Sequence, residues 1–110
     1  DKVQKFCEER DWDQFHNPKD LAIGVSTEAS ELLDIFRFKS DEDIKVIMSD
    51  PNKRQKVGEE LADVLYFLLR FAQMNSFDLS EELDKKLEKN NQKYPVEKAK
   101  GSNKKYNEEL

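Results

Sequence analysis

An all-α fold, an antiparallel helix bundle, is the architecture this sequence predicts, and three observations predict it. Charged residues make up 39% of the chain against 36% apolar, with only three glycines and three prolines, a balance that suits helices with large solvated faces. Apolar residues recur at helical spacing, and no segment alternates as a half-buried strand would. The breaks between these segments carry helix-start signals. At 110 residues the chain is expected to form one domain with a modest core, so any sizeable pocket has to be shared between elements or between chains.

The first expected helix covers residues 2–9, with Val3 and Phe6 turned inward. An irregular aromatic stretch, RDWDQFHNPKD, follows, and within it Asn17 before Pro18 forms a cap and first-turn proline that open a long helix to about Arg37. Ser40 with Asp43 marks a weaker start, opening a short helix over residues 41–48. Asp50 and Pro51 repeat the cap-and-proline pair and open a helix to about Asn75. In the break NSFDLS, Ser80 is the expected cap, with Glu81 and Glu82 in the first turn, and the helix it opens fades near Tyr94 and Pro95. From about residue 95 a polar tail contains the breaker Gly101 and few core residues, and is expected to be mobile.

Composition excludes some functions. A net charge of −5 provides no clustered basic surface for a nucleic acid polymer or an anionic membrane, and no apolar run reaches the length of a membrane span. Cys7 is the only cysteine, so no intramolecular disulfide or thiolate metal cluster can form; it reads as a small residue packed beside Phe6, and a cytoplasmic location is expected.

The chemistry lies in carboxylates that interrupt apolar stripes. At about 100° per residue, Leu21, Val25, Leu32, Ile35 and Phe36 share one face of the second helix, with Glu28 in their midst and Glu31 at the edge, while Asp34 points to solvent. In the long helix Val57, Leu61, Val64, Leu68 and Phe71 share a face that Glu60 enters, with Asp63 just outside it and Glu59 turned to water. Both helices thus carry paired acids three residues apart. An acidic chain produces such pairs on solvated faces with local ion pairs, but two pairs that invade facing stripes need a neutralising partner. Neither helix offers a basic side chain at a core position. An all-oxygen set instead favours Mg²⁺, or Mn²⁺ as the alternative, held by Glu28, Glu31, Glu60 and Asp63. A carboxylate-held Mg²⁺ meets substrate phosphates and activates water, whereas a di-iron bundle needs Glu-x-x-His pairs and the sole histidine, His16, lies outside both helices.

The segments GVSTEASELLDIFRF and EELADVLYFLL together resemble the E-x-x-E plus E-x-x-D signature of the all-α nucleotide pyrophosphohydrolases, the MazG-like superfamily. Further likeness to its dCTP pyrophosphatase branch runs through ERDWDQFHNPKDL and KYPVEKAKGSNKKYNEEL, so it covers nearly the whole chain. The resemblance implies Mg²⁺-dependent hydrolysis of a deoxynucleoside triphosphate to the monophosphate and pyrophosphate, and assembly as a dimer or dimer of dimers with sites between subunits. It makes the four acids catalytic metal ligands. It assigns Trp12 and His16 to base binding, although Trp12 also reads as a core anchor and His16 as a loop histidine capping the backbone. Lys86 and Asn90 match phosphate contacts, or else belong to a solvated helix face; Lys104, Lys105 and Tyr106 match a tail motif that folds over the ligand or a neighbouring subunit.

Two positions depart from the branch: Phe38 stands where tryptophan is common, and Phe67 where tyrosine is common, with Tyr66 one position early and facing another way. A lost indole weakens stacking and a lost phenol removes a phosphate contact, so the expected preference for dCTP is broadened to include dATP. The alternative reading is a metal-stabilised helical interaction module without catalysis. An independent sign of a homodimer or homotetramer is that Ala62, Leu65, Tyr66, Leu69, Ala72 and Met74 carry apolar surface almost round the long helix, and the isolated monomer is expected not to fold stably.

Overall fold

The computed structural model describes residues 1–101, and among these every regular element is helical. The elements are α1 (Lys2–Glu9), a 3₁₀ turn (Asp13–Phe15), α2 (Pro18–Phe36), α3 (Asp41–Ser49), α4 (Pro51–Asn75), α5 (Leu79–Lys93) and a single-turn α6 (Val96–Ala99). Lys104, Lys105 and Tyr106 lie outside the described residues. The chain forms two compact units, Asp1–Ser76 and a second that begins at Phe77.

Local chemistry accounts for the helix starts. The Asn17 side chain accepts from the Asp20 N–H, and Pro18 fills the first turn, where a missing N–H costs nothing. Ser40 and Asp43 make a reciprocal capping box, a more complete start than their spacing alone promised. Asp50 both ends α3 and caps α4 through the N–H groups of Asn52 and Lys53. The cap of α5 is Asp78 rather than Ser80: Asp78 accepts from Glu81 N–H at 3.1 Å, and starting two residues earlier brings Leu79 into the helix. Past Tyr94 the polar tail adds one more helical turn, α6, before Gly101 at φ 81°.

Within the first unit α2 packs along α4, and α1 and α3 pack on α4. Two close approaches give the direction: Gly24 faces Phe67, while Glu28, one turn further along α2, faces Glu60 and Asp63. Chain numbers rise on one helix as they fall on the other, so the pair is antiparallel. Gly24 is what lets the helices meet. A Cβ there would lie 2.5 Å from Cδ1 and Cε1 of Phe67 and 2.9 Å from its Cγ, so Gly24→Ala is expected to destabilise by about 1–2 kcal/mol, overpacking outweighing the gain in helix propensity. Gly58, with nothing within 4 Å of its added Cβ, provides the contrast: Gly58→Ala should stabilise by about 0.5–1 kcal/mol. Urea unfolding of both variants checks the opposite signs.

The α2 stripe is as expected: Leu21 is buried and Val25, Leu32, Ile35 and Phe36 are partly buried. On α4, Val57 is buried and Val64 and Phe71 partly so, but Leu61 and Leu68 are exposed, and Ala72 is buried instead. On α1 the inward residue is Cys7 rather than Phe6. Its thiol meets the Tyr66 hydroxyl at 3.1 Å, while Phe6 stays half-exposed, edge-on to Trp12 and Tyr66 with centroids 5.7 and 6.0 Å away. Among the described residues the buried apolar side chains are Cys7, Leu21, Ile47, Val57 and Ala72, whereas Ile23, Leu33, Leu61, Leu65, Leu68 and Leu69 are all exposed. That is a thin core beside a broad uncovered apolar surface.

Candidate metal centre and base-binding segment

Helical spacing on α2 and α4 brings carboxylate oxygens of Glu28, Glu60 and Asp63 within 4.8 Å of one another. Glu60 is buried, Glu28 partly buried and Asp63 exposed, so the cluster runs from the packed seam to solvent. Oε2 of Glu28 and Oε2 of Glu60 are both buried without a hydrogen-bond partner. Buried acceptors left in this state are costly, and two of them beside a third carboxylate describe a place for a cation.

Glu31 stands beside this set rather than within it, exposed and next to Glu28. Hydrogen bonding with Glu31 is the main reason the Glu28 carboxyl is pushed up to about 6, with burial next and the charges of Glu31, Asp63 and Glu60 adding to it. Asp34 and Glu59 face solvent as their angles required, Asp34 pairing loosely with Arg37 at 3.5 Å.

One basic side chain reaches the acids from an exposed position, as the absence of core lysines requires. Lys56, one turn before Glu60, places Nζ 3.0 Å from its Oε1. The ammonium is mostly exposed, and its pKa is raised, first by the hydrogen bond to Glu60 and then by that charge. It satisfies one oxygen of one acid, leaving the inward Oε2 atoms unpartnered.

A pH signature follows for the metal-free protein. With Glu28 raised from 4.5 to about 6, the folded state holds more proton than the unfolded state across that interval, so stability falls as pH rises through it. A divalent cation removes the need for the proton. The Tm is therefore expected to fall from about pH 4.5 to 6 in EDTA, and the Tm gain from Mg²⁺ to be small near pH 5 and large above pH 6.5. A calorimetric pH series with and without Mg²⁺ measures both.

Trp12 and His16 flank the 3₁₀ turn, their ring centroids 6.1 Å apart at 62°. Trp12 is about one-third exposed, a sidewall rather than a core anchor. His16 is tied to α4: the Arg70 Nε–H donates to its Nδ1 at 2.9 Å. Arg70 also donates to Asp13 and to Gln73 and is fully buried, which corrects the expectation that α4 has no basic side chain at a core position. Burial lowers the His16 pKa, Arg70 lowers it further, and Asp13 opposes them. The sequence did contain a signal for Arg70, the lone charge in VLYFLLRFA; this is the same kind of interruption that singled out Glu28.

Phe38 follows α2 at φ 63° and is 93% exposed, with the Arg37 guanidinium over its ring at 4.7 Å. A bulky residue in the left-handed region is uncommon. Phe67 lies against Gly24, and the Tyr66 hydroxyl, pushed up to about 12 by burial and by its bond to Cys7, points to α1 and so does not take over the missing phenol's place. In the second unit, Lys86, Lys89, Gln92 and Lys93 line a shallow concavity, and Asn90 is partly buried on the same helix.

An all-α bundle whose two central antiparallel helices present clustered carboxylates belongs to a class of helical proteins built round an acidic centre. Residues 23–108 match the model of the MazG-like family, and the chain belongs to that family. It is similar to dCTP pyrophosphatase 1 of Mus musculus, with 38% identity over 102 residues, covering 93% of this chain and 60% of that protein. The Homo sapiens protein of the same name is 36% identical over 104 residues, covering 94% of this chain and 61% of that one. The chain therefore spans about 60% of the length of these curated relatives. Among solved structures, a pyrophosphatase from Archaeoglobus fulgidus superposes with a TM-score of 0.75 at 38% identity, covering 84% of this chain and 85% of that one.

Proposed function

We propose that this protein is a Mg²⁺-dependent nucleoside triphosphate pyrophosphohydrolase that converts a dNTP to dNMP and pyrophosphate, with dCTP favoured and dATP accepted. The observation that carries this reading is the convergence of Glu28, Glu60 and Asp63 with two buried, unpartnered carboxylate oxygens. The donor set is oxygen only, which fits Mg²⁺ or Mn²⁺. The names of the relatives point to the same substrate class.

Glu28, Glu60 and Asp63 would hold the metal, which when bound supplies a Lewis acid for the phosphate oxygens and a lowered pKa for an attacking water. Glu31, beside Glu28 at the exposed edge of the cluster, would orient Glu28. Lys56 fixes the rotamer of Glu60 from the solvent side. Trp12 offers a ring for stacking and His16 a polar edge to the base. Lys86 and Asn90 are assigned to the phosphates, a role that the cationic concavity at Lys86 supports, and Phe38, exposed and held in a strained backbone, to stacking on the base.

The exposed leucines of α4 support a homodimer or homotetramer with sites between subunits. No helix among the described residues is long and apolar enough to cross a membrane, and a cytoplasmic nucleotide-pool role belongs to the same reading. The test is release of pyrophosphate from each of the four common dNTPs with Mg²⁺ and with EDTA. Metal-dependent release, highest with dCTP, is expected; no release from any of them, with Mg²⁺ still raising Tm, would favour a metal-stabilised binding module.

A further inference from the structure

Arg70 is the largest fully buried side chain of the described residues, and the reaction proposed above makes no direct use of it. Burying a guanidinium is costly unless its N–H groups are matched and its charge is compensated. Both conditions are met, and they are met by the base-binding segment. The 3₁₀ turn brings Asp13 and His16 to the same guanidinium, the His16 backbone N–H closing the turn on Asp13 O at 3.2 Å. The Arg70 Nη2 donates to the Asp13 carboxylate, its Nη1 to Gln73 one turn on along α4, and its Nε to His16 Nδ1 at 2.9 Å.

The last bond constrains the imidazole. Arginine stays protonated at any pH the fold tolerates and offers donors only. Nδ1 therefore has to be the acceptor, which leaves the ring's one proton on Nε2. A second proton at Nδ1 would point at the guanidinium. Burial and the Arg70 charge both act against a cationic ring. Among the described residues Nε2 has no hydrogen-bond partner, and the ring sits beside Trp12.

We infer that Arg70 is a positioning residue that fixes His16 in its Nε2–H form, so that His16 presents a permanent hydrogen-bond donor to an acceptor atom of the nucleobase. The inference rests on the reading of Trp12 and His16 as the base-binding segment. It makes the segment selective for a base that turns a carbonyl oxygen or an unprotonated ring nitrogen toward His16, and against one that turns an amino or imide N–H there. Asp13 compensates the buried charge, and Gln73 holds the far edge of the fork.

His16 is the only histidine of the chain, so nitrogen-15 NMR of the protein, freed of any tag, reports its ring without ambiguity. The expected spectrum near neutral pH shows a protonated Nε2 and an unprotonated, hydrogen-bonded Nδ1. A ring protonated at Nδ1, or an even mixture of forms, overturns the inference with no variant needed. Saturation with dCMP and Mg²⁺, which gives no turnover, is expected to shift Nε2–H; tautomer as expected but Nε2 unmoved in the nucleotide-bound protein would overturn the contact with the base while leaving the role of Arg70 in place. In Arg70→Met, loss of the single tautomer is expected together with a rise in KM for dCTP of about three- to tenfold, the worth of one hydrogen bond, and kcat within about twofold of the parent; should that variant not fold, the spectra of the parent decide the inference by themselves. A variant that keeps KM while the tautomer is lost, or loses kcat and KM together with Tm, overturns positioning in favour of a purely structural arginine.

Discussion

Glu60→Gln is expected to lower Mg²⁺-dependent pyrophosphate release from dCTP by about 100-fold or more, because the amide keeps the shape of the side chain and removes one of the charges that would hold the metal. Glu60 is the most buried of the three converging acids, and its Oε2 has no protein partner. The metal-free fold should not suffer. The substitution removes a buried charge that is paired on one oxygen only, with an exposed Lys56, and it relieves Glu28, whose carboxyl the Glu60 charge helps to push up. The Tm in EDTA is therefore expected to equal or exceed that of the parent, while the Tm gain on adding Mg²⁺ disappears. Turnover and calorimetry together separate lost chemistry from lost folding. A variant that hydrolyses dCTP like the parent would remove Glu60 from the centre and with it the present account of the site.

The second large effect concerns assembly. Leu65 on α4 is 52% exposed in the single chain, and a lysine at such a position changes the stability of a true monomer by no more than about 0.5 kcal/mol. If a second copy covers the exposed leucines of α4, the same lysine is forced into an apolar contact. Leu65→Lys is then expected to shift the protein from dimer or tetramer to monomer by sedimentation velocity and to lower Tm by more than about 5 °C. The parent's Tm should also rise with protein concentration, as it does when folding and association are linked. A Leu65→Lys variant that sediments and melts like the parent would show that this face is solvated and that the small core suffices.

Much of the fold could be read from local chemistry. Asn17 with Pro18, Ser40 with Asp43 and Asp50 with Pro51 each satisfy backbone N–H groups within three residues of themselves, so those starts need no tertiary information. Ser80 is not the cap of α5: Ser80 and Asp78 are comparable caps, so local chemistry does not separate them, and the structure uses Asp78. The α2 stripe was legible because it packs against a single neighbour, α4. The α4 face was less so: with α1, α2 and α3 all against it, burial follows the neighbours and not the angle, which leaves Leu61 and Leu68 outside and Ala72 within.

The sequence by itself determined the helical class, the helix starts at Asn17, Ser40 and Asp50, and the candidate carboxylates, since a charge at the centre of an apolar stripe is visible in a periodicity of 3.6 residues. Tertiary structure alone decided which atoms meet. Antiparallel packing across Gly24 brings Glu28 to Glu60 and Asp63 and leaves Glu31 exposed at the edge of the cluster. It also sends Arg70 to Asp13 and His16, more than fifty residues away in the chain. The physical reason is one of range. Caps and stripes are set by hydrogen bonds and spacing within a few turns, whereas the protonation of Glu28 and the tautomer of His16 are set by charges and donors on another helix, which are absent until the helices pack.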